Sequence, residues 1–172
     1  EDPAPLVDRL AIQRGFDVPL LFGVLTARWP TDSEEGFYPP HPLGGSRIAY
    51  NTAILLDSSG RVLGSYDKNV LLPFGEFVPL SGWLYRTFGL NFFEMIPSAG
   101  NIHAGQEAAV MELPLVRDGV EMTVRIGPMI CYEDIISDYG LALAEQRPNL
   151  FVNIINDGWF EESSAAYHHL DF

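Results

Sequence analysis

The chain runs to 172 residues, enough for one domain with a single sizeable core, and at 47% hydrophobic and 19% charged it is too apolar for a disordered segment. Ten Lys and Arg against 23 Asp and Glu give a net charge of −13, which argues against nucleic acid as a partner and against electrostatic docking on anionic lipid, while leaving hydrophobic insertion open. One cysteine, Cys131, rules out an intrachain disulfide. The longest apolar run, residues 18–27, is about half the ~20 residues a spanning helix needs, so by itself the chain reads as a soluble piece.

In chain order, residues 6–16 have helical spacing, with Leu6, Leu10 and Ile12 on one side and Gly15 near the end. Residues 18–27 then read as a buried strand, and 29–45, rich in Pro, Gly and acidic residues, as an exposed loop. Residues 48–56 and 62–66 form a predicted hairpin around Asp57-Ser58-Ser59-Gly60. Pro73 and Pro79 forbid a regular helix or central strand over 70–79. Residues 81–96 are aromatic-rich, and 108–115 with 122–126 make a second hairpin around Arg117-Asp118-Gly119. A short strand runs into Cys131, followed by a helix over 134–146 and a buried strand over 150–155. Hairpins first and strand–helix–strand afterwards predict a mixed α/β sheet with helices on it.

The stretch with chemical content is Gly127-Pro128-Met129-Ile130-Cys131-Tyr132-Glu133-Asp134. Apolar residues before Cys131 and a helical pattern after it place the thiol at the end of a strand and beside a helix N-terminus. Backbone N–H groups there serve as oxyanion donors and lower a thiol pKa. Taken alone, a lone cysteine is more often a small buried hydrophobe.

Context shifts that balance. A cysteine nucleophile needs a base and a group that stabilises the developing oxyanion. Lys68 ends a strand pattern that topology aims at the same sheet edge, and Glu76 sits in an otherwise apolar stretch where a carboxylate needs a partner such as Lys68. The ordinary fates of these residues are a solvated strand-end lysine, a loop glutamate and, for Glu133, a helix-cap carboxylate.

These segments carry a resemblance. Tyr66-Asp67-Lys68-Asn69-Val70-Leu71-Leu72-Pro73-Phe74-Gly75-Glu76 resembles the lysine segment of the nitrilase superfamily, and Ile130-Cys131-Tyr132-Glu133 resembles its nucleophile segment. Asn153-Ile154-Ile155-Asn156-Asp157-Gly158-Trp159-Phe160 is similar to the strand and loop that border its pocket. Within the superfamily, Pro73-Phe74-Gly75-Glu76-Phe77-Val78-Pro79 resembles the bacterial apolipoprotein N-acyltransferase family more than the soluble amidases.

The resemblance implies an α/β/β/α sandwich, incomplete in this chain, and an enzyme that needs no cofactor. It implies Cys131 as nucleophile, Lys68 as stabiliser of the tetrahedral intermediate, Glu76 as the glutamate that positions the lysine, and Glu133 as support for the nucleophile turn. Tyr132, Asn156, Trp159 and Phe160 are the expected pocket wall. Trp83, Tyr85, Phe88, Phe92 and Phe93 are an expected lid at a membrane surface, the alternative being a helix packed on the core. The implied partners are a phospholipid acyl donor, a lipoprotein acceptor and the inner membrane, with the domain on the periplasmic or outer side.

Two family features have no match here: the base-bearing Trp-Pro-Glu segment ahead of the first helix, and the flanking membrane helices. The resemblance thus implies a longer protein, with the general base upstream and the isolated piece inactive. Competing readings are a soluble carbon–nitrogen hydrolase, a non-catalytic binding module on the same fold, and a Cys–His hydrolase using His41, His103, His168 or His169. A metal site at His168, His169 and Asp171 is the weakest, because its residues are too tightly clustered to suggest ordered ligand geometry.

Overall fold

The computed structural model describes residues 18–28, 48–90 and 102–155. Strands β1 (Leu20–Arg28), β2 (Ile48–Leu56) and β3 (Val62–Asp67) form one antiparallel sheet in the order β1-β2-β3. A second sheet has the order β4-β5-β6, with β4 (Met111–Arg117) antiparallel to β5 (Val120–Ile130) and β5 parallel to β6 (Leu150–Ile154). Helix α1 (Ser81–Phe88) lies between the sheets in sequence. A 3-10 turn (Cys131–Ile135) and helix α2 (Ser137–Glu145) connect β5 to β6.

Both predicted hairpins form, for local reasons. In the first, the Asp57 carboxylate accepts bonds from the Ser59 hydroxyl (2.6 Å), the Ser59 amide (2.9 Å) and the Arg61 amide (2.9 Å), which draw its pKa down to about 2. In the second, Asp118 and Gly119 both take positive φ (54° and 78°), as a two-residue turn that matches strand twist requires. At that turn the strands run past the expected limits, to Arg117 and from Val120, whereas β4 begins at Met111 and not at 108.

The sheets meet face to face. Ala53, Leu55 and Tyr66 from the first sheet share a buried cluster with Met111, Ile126 and Ile130 from the second, and Tyr139 and Leu143 of α2 complete it. Gly64 permits the close approach: a Cβ there would lie 3.0 Å from Met111 Cγ. The second half of β5 is covered on both faces, since Gly127 packs on Leu143 and is buried along with its neighbours Ile126 and Pro128. Pro128 is tolerated in this middle strand because β4 leaves at Ile126, so only β6 flanks the position that lacks an N–H.

Three expectations are corrected. Residues 18–27 are not a buried strand: among the described residues β1 pairs only with β2, and it alternates in exposure, with Leu25 62% exposed. Residues 150–155 are likewise half-covered rather than buried, because β6 is flanked by β5 alone among the described residues, leaving Leu150 and Phe151 exposed. The helix expected over 134–146 is broken at Ile136 (φ −90°, ψ 98°). The preceding residues wind into a 3-10 turn because the Glu133 carboxylate folds back onto the Ile130 amide (2.8 Å). The helix expected over 6–16 and the loop expected over 29–45 lie outside the described residues.

Candidate active site

Tyr66, near the end of β3, and Lys68, one residue past that end, are both buried, as the two-residue period of extended chain allows. The Lys68 backbone is held on both sides: its N–H donates to Asn51 O and its carbonyl accepts from Gly105 N–H, each at 2.8 Å. Gly105 has no room for a side chain, since a Cβ would come within 2.3 Å of the Asp67 carbonyl oxygen. So placed, the Lys68 side chain is 1% exposed, and its ammonium donates to both Glu76 oxygens (2.9 and 2.8 Å).

Glu76 reaches the lysine because residues 72–77 fold tightly. Phe74 adopts a left-handed φ of 65°, its N–H donates to Phe77 O, and the Leu72 N–H donates to Glu76 Oε2 at 2.8 Å. The carboxylate thus holds its own loop closed as well as the ammonium. A lysine buried to this degree is tolerable only when paired and hydrogen-bonded in this way.

Cys131 stands where β5 gives way to the 3-10 turn, half-buried, with φ 56°. A cysteine rarely takes that conformation, and strain of this kind persists only when the surroundings hold it. Burial is the main influence on the thiol and pushes its pKa up. The Lys68 charge and the Tyr132 backbone N–H pull it down, while Glu76 and Asp134 push it up. The expected lowering by a helix N-terminus is therefore corrected, because a short 3-10 turn follows the cysteine and desolvation outweighs the nearby cation.

Glu133 is fully buried and ties the Cys131 turn to the lysine loop. Its Oε1 accepts from the Tyr66 hydroxyl (2.7 Å) and from the Asn69 (2.7 Å) and Val70 (2.9 Å) amides, while Oε2 accepts from the Ile130 amide. The Tyr66 oxygen also accepts from Asn69 N–H, and burial among Tyr139 and Glu133 drives the Tyr66 phenol pKa far up, so Tyr66 acts as a donor.

The structure thus brings together Cys131, Lys68, Glu76 and Glu133, with half-buried Tyr132 next to Cys131 in sequence. Asn156, Trp159 and Phe160, and from the lid Phe92 and Phe93, lie outside the described residues, as do His41, His168, His169 and Asp171. Trp83 and Phe88 are on α1, 52% and 61% exposed, with rings edge to face at 5.6 Å, and Tyr85 is half-buried. No residue of α1 is buried. His103 lies against Tyr50, ring centroids 6.2 Å apart.

Sequence reasoning missed Tyr66, Gly105 and Asn153 as parts of this site. The side-chain amide of Asn153 donates to the Cys131 carbonyl at 3.0 Å. Its place in a segment resembling a pocket border was the one available signal. For Tyr66 the signal was its two-residue spacing from Lys68; for Gly105 there was none.

The carbon–nitrogen hydrolase family matches residues 17–171. The apolipoprotein N-acyltransferase of Rhodopseudomonas palustris is 36% identical over 134 residues, 77% of this chain and 23% of that protein. That of Geobacter metallireducens is 34% identical over 133 residues, again 77% and 23%. The chain spans about a quarter of the length of these relatives. Among solved structures, an amidase from Nesterenkonia sp. AN1 with an acetamide moiety added covalently at its active-site cysteine is 17% identical with a TM-score of 0.48, over 94% of this chain and 45% of that one. A carbon–nitrogen hydrolase from Helicobacter pylori G27 is 13% identical with a TM-score of 0.45, over 84% and 35%. By its sequence match over almost its whole length, the chain belongs to the carbon–nitrogen hydrolase family, and its described residues form a mixed α/β fold.

Proposed function

We propose that this chain is the nitrilase-like part of an acyltransferase that moves a fatty acyl group from phospholipid to the N-terminal amine of a lipoprotein through a thioester on Cys131. The observation that carries the reading is the buried Lys68–Glu76 pair, tied by Glu133 to the turn that bears a left-handed cysteine. The names of the relatives supply the apolipoprotein acceptor and the N-acyl transfer, and the phospholipid donor is what the resemblance of the sequence motifs implies.

In this reading a base outside the described residues takes the thiol proton, which burial holds on more tightly than usual. The sulfur attacks the ester carbonyl of the donor. The C–S bond forms, the ester C–O bond breaks, and the lysophospholipid leaves with the proton. The acceptor amine then attacks the thioester, the amide C–N bond forms, the C–S bond breaks, and the thiol recovers its proton. An ammonium has three donors; Lys68 commits two to Glu76 and offers the third to the oxyanion of each tetrahedral intermediate.

Exposed Trp83 and Phe88 on α1, with Leu80 (71% exposed) and Phe74 (65%) beside them in sequence, suit an apolar approach to the membrane that an acidic chain cannot make by charge. The enzyme then sits at the inner membrane with this domain on the periplasmic or outer side. The test is incubation of the full encoded protein with phospholipid carrying a labelled acyl chain, in the absence of acceptor. Label should accumulate on the Cys131 peptide and be absent from Cys131→Ala. Label retained on the Cys131→Ala protein would sink the assignment.

A further inference from the structure

The nucleophile turn has a tie that neither the lysine nor the glutamates explain. Asn153 sits on β6, paired in register with Met129 of β5, so its side chain reaches the turn from the neighbouring strand. Its Nδ2 donates to the Cys131 carbonyl at 3.0 Å and to Asp134 Oδ2 at 2.5 Å. Its Oδ1 is buried and has no hydrogen-bond partner among the described residues.

The orientation follows from chemistry. Reversing the amide would point an oxygen at a carbonyl and a carboxylate, two acceptors, and lose both bonds. Asn153 therefore gives its donor edge to the turn and leaves its acceptor unmet among the described residues. A buried orphan acceptor is tolerated where the bonds on the other edge matter more, and here they grip the carbonyl of the residue in the left-handed conformation.

We infer that Asn153 is a positioning residue for acylation: its carboxamide clamps the Cys131 carbonyl, holding the left-handed backbone that aims the thiol, and pins the Asp134 carboxylate beside it. This rests on Cys131 being the nucleophile. The charged groups acting on the thiol are Lys68, Glu76 and Asp134, and of these Asp134 is the one Asn153 holds.

The experiment follows acylation of Cys131 by labelled phospholipid in the full encoded protein, from pH 5 to 9, for Asn153→Leu, Asn153→Ala, Asn153→Asp and Cys131→Ala. Leu fills the space without donating. It and Ala should slow acylation about tenfold or more, with the donor concentration at half-saturation changed less than about twofold. Asp is nearly isosteric but, when ionised, turns a third acceptor on the Cys131 carbonyl and on Asp134. It should be slower than Ala at pH 8, and the gap should close toward pH 5 as the carboxyl gains a proton to donate.

A merely structural role predicts instead equal losses for Ala and Asp at every pH, tracking the amount of folded protein. That result overturns the inference, as does wild-type acylation by Asn153→Leu while Cys131→Ala is inert. Acylation surviving in Cys131→Ala overturns the nucleophile assignment and this inference with it. Should Asn153→Leu not fold, Asn153→Asp decides alone: a rate equal to wild type across the range ends the proposal.

Discussion

Residues 66–76 and 80–90 are close neighbours in sequence and opposite in what they hide. The first stretch buries a lysine, holds a glutamate against it and packs a tyrosine hydroxyl onto a second buried carboxylate. The second turns Leu80, Trp83, Phe88 and Leu90 outward on and around a helix with no buried residue. Both invert the ordinary rule of apolar inside and charged outside. The inversion inside is stabilised by pairing, since Glu76 and Glu133 each accept from several donors and Lys68 places two of its three N–H groups on Glu76. Outside, no comparable compensation exists among the described residues, which is why we assign those aromatics to a surface of lower polarity than water.

The contrast breaks hardest at Glu133. Glu133→Ala leaves the Tyr66 hydroxyl and three backbone amides buried without their acceptor. It should cost about 3–5 kcal/mol of stability, read as a lowered urea midpoint at unchanged slope. A loss below about 1 kcal/mol would mean water reaches those amides and the interior is not saturated.

Lys68→Met should come next, slowing acylation about 10²–10³-fold. It also removes the cation that pulls the thiol down. Because burial already holds the thiol above its ordinary range, iodoacetamide labelling of Cys131 in the wild type should still be rising above pH ~8.5. In Lys68→Met the rise should begin at higher pH; an unchanged profile would separate Lys68 from the sulfur. The double variant Lys68→Met, Glu76→Gln should regain stability over the single one, with no unpaired carboxylate left, and regain no rate.

The smallest effect on stability belongs to the second stretch. Trp83→Ala and Phe88→Ala should each change unfolding free energy by no more than about 0.5 kcal/mol, as exposed positions do, while weakening vesicle binding. With Trp29 and Trp159 replaced by Phe, Trp83 emission should shift to the blue and resist aqueous quenchers when vesicles are added. No shift would return α1 to the status of a surface helix with incidental aromatics.

Local features were legible in the sequence and tertiary ones less so. Asp57-Ser58-Ser59-Gly60 and Asp118-Gly119 carry their turns in their own side chains and backbone freedom, so both hairpins could be read directly. Glu76 could be paired with Lys68 because a carboxylate in an apolar stretch demands a cation nearby. The partial exposure of β1, the break at Ile136 and the tight seat of Gly105 against Asp67 depend on neighbours far along the chain, and no local pattern encodes them. The thiol was misjudged for the same reason: a helix N-terminus is a sequence-level feature, whereas the burial that outweighs it arises only in the folded protein.

The reach of Glu133 also bears on the order in which the molecule comes together. Its bonds to Tyr66, Asn69 and Val70 span 67, 64 and 63 residues, with the whole β4–β5 hairpin in between. The hairpins can close early on local turns, but the loop that unites lysine and cysteine carries a large entropic cost and must wait until the sheets dock. Before docking, Cys131 is a thiol without the lysine, the buried carboxylate or the strained backbone. The surroundings of the thiol thus arise late, only once the two sheets are together.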